Sequence, residues 1–260
     1  LTVDLHDVEF VTSHPFPFPK GDHRALLTAS ATGDDEYRLS PPYEPLGPGD
    51  AQILEGLAAL KELQKEGKVR KIGIAGFPLP LLLRLSHLAA NTPSVGPLDL
   101  VQTYGQQTVQ NPSLEVYLPE FKKAGVRQIM NAAPLSMGIL TTGGGPDWHP
   151  VNVAKGPVYD ACREASQLCQ DQGTSIEEVA VNFAYKGLKD GDRDIPVVIG
   201  CKVIDELKRT IKGWRAVNVP GEVSAETRAK IDTVEKQVEE LFERKGVKGW
   251  SWQSPSPGSL

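Results

Sequence analysis

The sequence predicts an α/β protein of β/α-barrel type, and three observations carry that expectation. Short apolar segments alternate with amphipathic segments of about ten residues or more between 69 and 214, the rhythm of parallel strands joined by right-handed helical crossovers. No G-x-G-x-x-G run follows any of the apolar segments, which argues against a doubly wound dinucleotide fold. The composition, 260 residues with 40% hydrophobic and 23% charged, is that of an ordinary globular chain able to build a core. Chemistry in such a barrel gathers at the carboxyl ends of its strands.

The elements follow in order. Leu1, Val3 and Leu5 alternate with Thr2, Asp4 and His6, a strand period that places a histidine at the strand's end. From 12 to 50 the text is dense in proline, as in HPFPFPKG and SPPYEPLGPGD. Proline removes backbone donors and fixes φ, so this reads as a long loop insertion with at most a short helix over 24–29. Asp50 is placed as the N-cap of a helix whose stripe is Ile53, Leu57, Leu60 and Leu63, stopped by Gly67. Then come a strand over 69–75, a helix over 79–90, a strand over 98–104, a helix over 114–124 and a strand over 126–132. Helices over 158–172 and 176–188, a strand over 195–200 and a helix over 204–214 complete the series. A final helix over 224–245 carries Ile231, Val234, Val238, Leu241 and Phe242 on one stripe. The whole is expected to be one domain, 1–260, with 12–50 as its insertion and 222–260 as a C-terminal helix and tail.

Composition narrows the function as well. A net charge of -5 with mixed signs argues against nucleic acid as a partner. No apolar run reaches the ~18 residues of a membrane span, and no basic-then-apolar leader opens the text. The three cysteines, Cys162, Cys169 and Cys201, have neither disulfide nor zinc spacing, so a metal site is not expected and a reducing, cytoplasmic location is. The run GGGPDWHP at 143–150 has glycines suited to a phosphate cradle but no lysine and no immediate helix, and reads as a flexible barrel loop. At the predicted strand ends lie His6 and Asp7, Gly76 and Phe77, Gln102 and Tyr104, Asn131, Leu135, and Gly200 to Lys202.

The runs ALKELQKEGKVRKIGIAGF (59–77), LDLVQTYGQQTVQN (98–111) and NAAPLSMGILT (131–141), with the leading LHDVEFV, resemble segments of the aldo-keto reductase family, on its sugar-dehydrogenase side. The resemblance implies an incomplete (β/α)8 TIM-barrel-type fold, since about five strands are counted where the family has eight. It also implies a nicotinamide cofactor and a small-molecule sugar or carbonyl substrate, an aldose of D-arabinose or L-galactose type. His6 matches the family's catalytic histidine, which orients the carbonyl. The family's Asp, Tyr and Lys have no counterpart in this text, and Tyr104, like Tyr37 and Tyr43, is a tyrosine without a matching position.

By the same resemblance Gln102 holds the cofactor's carboxamide, with Ala75 standing where a hydroxyl is usual. Leu135 and Met137 fit the pyrophosphate-side loop. Gly200, Cys201, Lys202, Glu206 and Thr210 match the adenosine-phosphate segment. An acid at Glu206 favours NAD over NADP, because it repels a 2′-phosphate and accepts from a free ribose hydroxyl. Trp148 and His149 fall where the family approaches substrate. The text thus reads as a chain derived from a longer enzyme by truncation. Its open sheet edge would be covered by the insertion, the C-terminal helix, a further N-terminal portion or a second copy in a homo-oligomer. The alternative is a catalytically inactive relative that serves in binding or assembly.

Overall fold

In the computed structural model, residues 2–4, 20–191 and 193–252 are described. Five strands form one sheet in the order β1-β3-β4-β5-β8: β1 (Thr2–Asp4), β3 (Gly73–Gly76), β4 (Leu100–Tyr104), β5 (Gln128–Ala132) and β8 (Val197–Val198). β1 with β3, β3 with β4, and β5 with β8 run parallel. Among the described residues β1 and β8 are free edges, so the barrel-type alternation of strands and helices is present and the ring is not closed.

The chain divides into two compact units. The first is Leu1–Thr103, Ser113–Met130 and Ser251–Leu260, and the second is Tyr104–Pro112 and Asn131–Trp250, so the division runs through β4 and β5 and between residues 250 and 251.

In the first unit, β2 (Gly21–Asp22) leads into α1 (His23–Ala31), and α2 (Pro48–Lys65) follows the proline-rich stretch. α3 (Leu79–Ala90) and α4 (Leu114–Lys123) occupy the positions that periodicity predicts. α3 is apolar around its circumference and is buried around its circumference. Its three polar residues each have a partner: Ser86 donates to the Leu82 carbonyl at 2.7 Å, His87 stacks on Tyr43 with centroids 4.3 Å apart, and Arg84 meets Asp50. Asp50 therefore has a different role from the cap expected of it. The helix starts earlier, at Pro48 with Gly47 as N-cap, and the Asp50 carboxylate accepts from both terminal Arg84 nitrogens at 2.8 and 2.6 Å and from the Leu46 amide at 2.8 Å.

The strands of this unit are shorter at their amino ends than the apolar text suggests. Residues 69–72 lie outside β3: the Val69 amide donates to the Leu63 carbonyl, the Arg70 carbonyl accepts from Gln64, and Lys71 and Ile72 turn to Asp99. That carboxylate accepts from the Ile72 amide at 3.2 Å, from Gln64 at 2.7 Å and from Lys71 at 3.2 Å, and pairs with Arg127 at 3.3 Å. Burial pushes the Asp99 pKa up, but the hydrogen bonds from Gln64, Ile72 and Lys71 outweigh it and leave the group below the usual carboxylate value. Just beyond, a Cβ on Gly73 would lie 1.8 Å from the Leu100 carbonyl oxygen, so β3 approaches β4 closely only because this residue has none.

In the second unit, α5 (Pro150–Ala154), α6 (Pro157–Asp171) and α7 (Ile176–Lys186) precede a small hairpin of β6 (Lys189–Asp190) and β7 (Arg193–Asp194). The hairpin and α5 have no apolar period and were not expected from the text. α8 (Ile204–Asn218) follows β8, and α9 (Ala225–Arg244) is capped by Ser224, whose hydroxyl accepts from the Thr227 amide at 3.1 Å. Val234, Val238, Leu241 and Phe242 are buried, as the stripe requires. Glu235 is buried beside them and accepts from Asn182 at 2.6 Å and Lys186 at 2.7 Å. Residues 250 and 251 form β9 (Trp250–Ser251), paired with β2.

Removing one member of a buried ion pair strands the other, at a cost of about 3–5 kcal/mol, whereas replacing both by apolar groups of similar size is close to neutral. Arg84→Met is therefore expected to lower the stability in urea denaturation by that amount, and Asp50→Leu in the same chain to restore most of the loss. A single variant that unfolds at the wild-type midpoint would contradict this role for the pair.

Candidate functional site

Each described candidate residue lies in a strand, in the loop beyond one, or in the first turns of the helix that follows. In the first unit, Gln102 is the third residue of β4 and sits in register with Ala75 of β3. Its neighbours Val101 and Thr103 are fully buried, so the strand is fixed from the opposite face while the Gln102 side chain stands half-buried. Its amide makes no hydrogen bond among the described residues, and that unused capacity fits a group that needs both a donor and an acceptor. Beyond β3, Phe77 is fully buried, and its carbonyl accepts from the Thr103 hydroxyl at 3.2 Å.

In the second unit, β5 ends in a strained turn. Ala133, Ser136 and Met137 have φ of 53°, 48° and 54°, left-handed values that cost a side-chain-bearing residue of order 1 kcal/mol each. The Ser136 amide donates to the Ala133 carbonyl at 2.8 Å and the Gly138 amide to Leu135 at 2.9 Å, which closes the short 3-10 turn Ser136–Gly138. Leu135 (φ -89°, ψ 16°) leads directly into left-handed Ser136. Leu135 and Met137 are both half-buried there.

Gly200, Cys201 and Lys202 are exposed between β8 and α8. The Lys202 amide donates to the Glu206 carboxylate at 2.6 Å, and Cys201 Sγ lies 3.7 Å from Thr210 Oγ1. The five predicted residues of this stretch are thus brought together by two contacts across the first turns of α8. The Lys202 ammonium makes no ion pair among the described residues, so a cation is available beside a helix start. Glu206 and Thr210 lie on the half-buried side of α8, while Ile204, Leu207, Ile211 and Trp214 are exposed.

Trp148 and His149 part company. Trp148 is 64% exposed, whereas His149 is fully buried and caps α5, its Nδ1 accepting from the Val151 amide at 3.1 Å. Burial pushes the His149 pKa down to about 4, against the opposing effect of a hydrogen bond with the Ser136 backbone. The glycine run before them is held firmly rather than loose. Arg163 donates to the carbonyls of Ile139 at 2.8 Å and Thr141 at 3.1 Å, and Asn152 donates to those of Gly144 at 2.7 Å and Pro146 at 2.8 Å. With its carbonyls turned to cationic and amide donors, the loop is not built to cradle a phosphate.

His6 lies outside the described residues. No group of three or more His, Cys, Asp or Glu side chains that could hold a metal occurs among the described residues, and no described helix is long and apolar enough to cross a membrane. Two further placements stand out, one of them at Asn131, a residue expected at a strand end. Asn131 is buried in β5 with its Nδ2 donating to the Gln107 carbonyl at 3.1 Å and its Oδ1 without a hydrogen-bond partner among the described residues. Trp252 is buried against Phe77. The signals were a polar residue in an apolar strand and an aromatic in a Pro/Ser tail.

A profile described as the aldo/keto reductase family matches residues 3–232. L-galactose dehydrogenase of Arabidopsis thaliana is 27% identical over 198 residues, covering 76% of this chain and 58% of that protein. D-arabinose 1-dehydrogenase of Saccharomyces cerevisiae is 25% identical over 208 residues, 79% of this chain and 59% of that protein. The chain therefore spans a little under three fifths of the length of these relatives. A solved glycerol dehydrogenase of Gluconobacter oxydans aligns with 78% of this chain and 56% of its own, at 17% identity and a TM-score of 0.42.

The capping imidazole supplies a pH prediction. Folded His149 stays neutral down to about pH 4, whereas an unfolded histidine protonates near 6.5, so the unfolded state takes up more protons between these values. Stability is complete above 6.5 and falls as pH drops toward 4, by at most about 1.4 kcal/mol per unit. His149→Asn, which can still accept at the N-cap, should flatten that limb of the stability profile in urea melts at pH 7, 6, 5 and 4.5. Parallel wild-type and variant profiles would show that the imidazole does not titrate there.

Proposed function

The chain belongs to the aldo/keto reductase family, and from that premise we propose that it works in NAD(P)-dependent oxidation of an aldose, of D-arabinose or L-galactose type, or in reduction of a carbonyl. Membership makes it a relative of oxidoreductases that act on small molecules. The finer reading rests on one observation above the others: the half-buried Gln102 amide in the middle of β4, in register with Ala75 and without a hydrogen bond among the described residues. A carboxamide ligand needs one acceptor and one donor, and a glutamine side chain offers both. The two curated relatives, dehydrogenases of L-galactose and D-arabinose by name, supply the sugar class.

A bound nicotinamide would supply the hydride chemistry. The chain's own residues bind and orient. Gln102 holds the carboxamide, with the backbone of Ala75 and Gly76 in place of a hydroxyl. The turn at Leu135 and Met137 presents amides to an anion, and its left-handed residues hold that shape without glycine. Lys202 brings a cation to the adenosine phosphate, Gly200 and Cys201 form its bed, and Thr210 supplies a hydroxyl. Glu206 accepts from a ribose hydroxyl in exchange for the Lys202 amide, and it repels a phosphate at the same place, hence the preference for NAD. His6 orients the substrate carbonyl, and Trp148 offers an exposed apolar face to the sugar. The three free thiols, two of them buried, suit a reducing compartment, and we place the protein in the cytoplasm.

The 260-residue chain should quench or shift nicotinamide fluorescence on titration with NADH. Gln102→Leu should weaken that binding about 5- to 10-fold, the worth of one or two neutral hydrogen bonds. Glu206→Arg should raise the affinity for NADPH relative to NADH. Turnover is then assayed with D-arabinose and L-galactose. Failure of the wild-type chain to bind either dinucleotide would refute the proposal, and binding without turnover of either sugar would refute its catalytic half.

A further inference from the structure

Gln102 owes its position to a stack of buried aromatic rings whose last member arrives from the other end of the chain. We propose that Trp252 is a positioning residue for the nicotinamide end of the cofactor, acting through Phe77 and Thr103 on the carboxyl ends of β3 and β4. The inference rests on the proposed dinucleotide binding and goes beyond it in naming a residue that touches no cofactor.

The indole is 2% exposed and stacks on Phe77, with centroids 4.3 Å apart and the planes 24° from parallel. Phe77 directly follows Gly76, the last residue of β3, and is itself fully buried. Its carbonyl accepts the Thr103 hydroxyl at 3.2 Å, and Thr103 pairs with Gly76 in the ladder and precedes nothing but the last residue of β4. Gln102 is the next residue back. The path from indole to amide is therefore one ring contact, one hydrogen bond and one peptide unit, all inside the first compact unit.

A second ring meets the stack. His23 meets Phe77 edge-on, with centroids 6.2 Å apart and planes at 65°. The His23 carbonyl accepts from the Tyr117 hydroxyl at 2.6 Å, and Ser251 Oγ lies 3.4 Å from His23 Nδ1. Phe77 is thus in contact with an anchored imidazole and with the indole, and a shift of the carboxyl end of β3 would disturb both contacts. A close-packed interior transmits such a shift instead of absorbing it. Burial of this many rings at a strand end, where a barrel-type sheet keeps its chemistry, stiffens the backbone under a side chain that is itself unspent.

The test separates the two ends of the dinucleotide. Nicotinamide mononucleotide and ADP-ribose are titrated against the full chain by calorimetry, with wild type, Trp252→Ala, Trp252→Phe and Thr103→Val. Misplacement of a binding group by an ångström costs up to about 100-fold, so Trp252→Ala should weaken nicotinamide mononucleotide at least about 10-fold and leave ADP-ribose within about 2-fold. Trp252→Phe keeps a ring on Phe77 and should recover most of the loss. Thr103→Val removes the hydroxyl link with little change of volume, so it reports on the same path if the alanine variant melts too low to measure. Equal binding of nicotinamide mononucleotide by wild type and Thr103→Val would overturn the inference, as would parallel loss of both ligands. Wild type that binds neither ligand would instead bring down the dinucleotide reading, and this inference with it.

Discussion

The register of the first unit depends on one carboxylate. Asp99 stands just ahead of β4, and its side chain gathers the Gln64 amide at the end of α2, the backbone amide and a lysine just ahead of β3, and Arg127 just ahead of β5. Its backbone does the same work, the amide donating to the Ile72 carbonyl at 3.0 Å and the carbonyl accepting from Gln128 at 3.1 Å. A buried charge with this many donors has its desolvation cost offset by hydrogen bonds that are stronger in a low dielectric. Parallel strands have no hairpin turn to fix their register, so a side chain that binds all three amino ends supplies what a turn would. Everything downstream inherits it: Gly73 against Leu100, Ala75 against Gln102, Gly76 against Thr103. A slip of one residue would turn the Gln102 amide to the buried face and Thr103 to the open one.

The close approach at Gly73 is the second half of that constraint. Any Cβ there would collide with the Leu100 carbonyl, and the only relief is to push β3 and β4 apart at the place where Asp99 draws them together. The amino ends of these strands are accordingly a place of packing and charge pairing, with no polar capacity left over. The second unit has a network of the same kind at Glu235, which takes Asn182 and Lys186, while Asn182 in turn accepts from Arg228. Such networks are stabilising because every member is satisfied, and a half-satisfied one would be worse than an apolar core.

Much of this architecture was legible in the residues. α3 runs over the span its apolar text predicts, and Ser224 caps α9 where a serine precedes the stripe. Helix periodicity is a local signal, and these helices are fixed by it. What the text could not show is long-range. Asp50 looks like a cap because its partner Arg84 lies 34 residues away. The strand over 69–75 is shortened to Gly73–Gly76, and Ile72 just ahead of it turns to a carboxylate 27 residues on. The left-handed residues at 133, 136 and 137 carry no glycine to announce them. Among the expected site residues, the resemblance picked out Gln102 and the Gly200 to Thr210 stretch, and the geometry then distinguished Trp148 from His149, neighbours in sequence with opposite exposures. Trp252 was beyond reach because its role depends on where a tail returns.

The residues proposed to bind differ from those at the amino ends in how their polar groups are paired. At the amino ends, Asp99 spends its charge on four donors. In the first unit the half-buried Gln102 amide makes no hydrogen bond among the described residues; in the second, Asn131 Oδ1 and the Ser136 hydroxyl are buried without hydrogen-bond partners among them, and three residues sit in left-handed conformations. The buried atoms lower stability, since unpaired buried polar atoms cost about 1–3 kcal/mol. A chain under selection for stability only would pair or replace them. Their persistence, together with backbone strain that surrounding packing must hold in place, is what a fold shows where polar capacity is kept for something other than the protein itself.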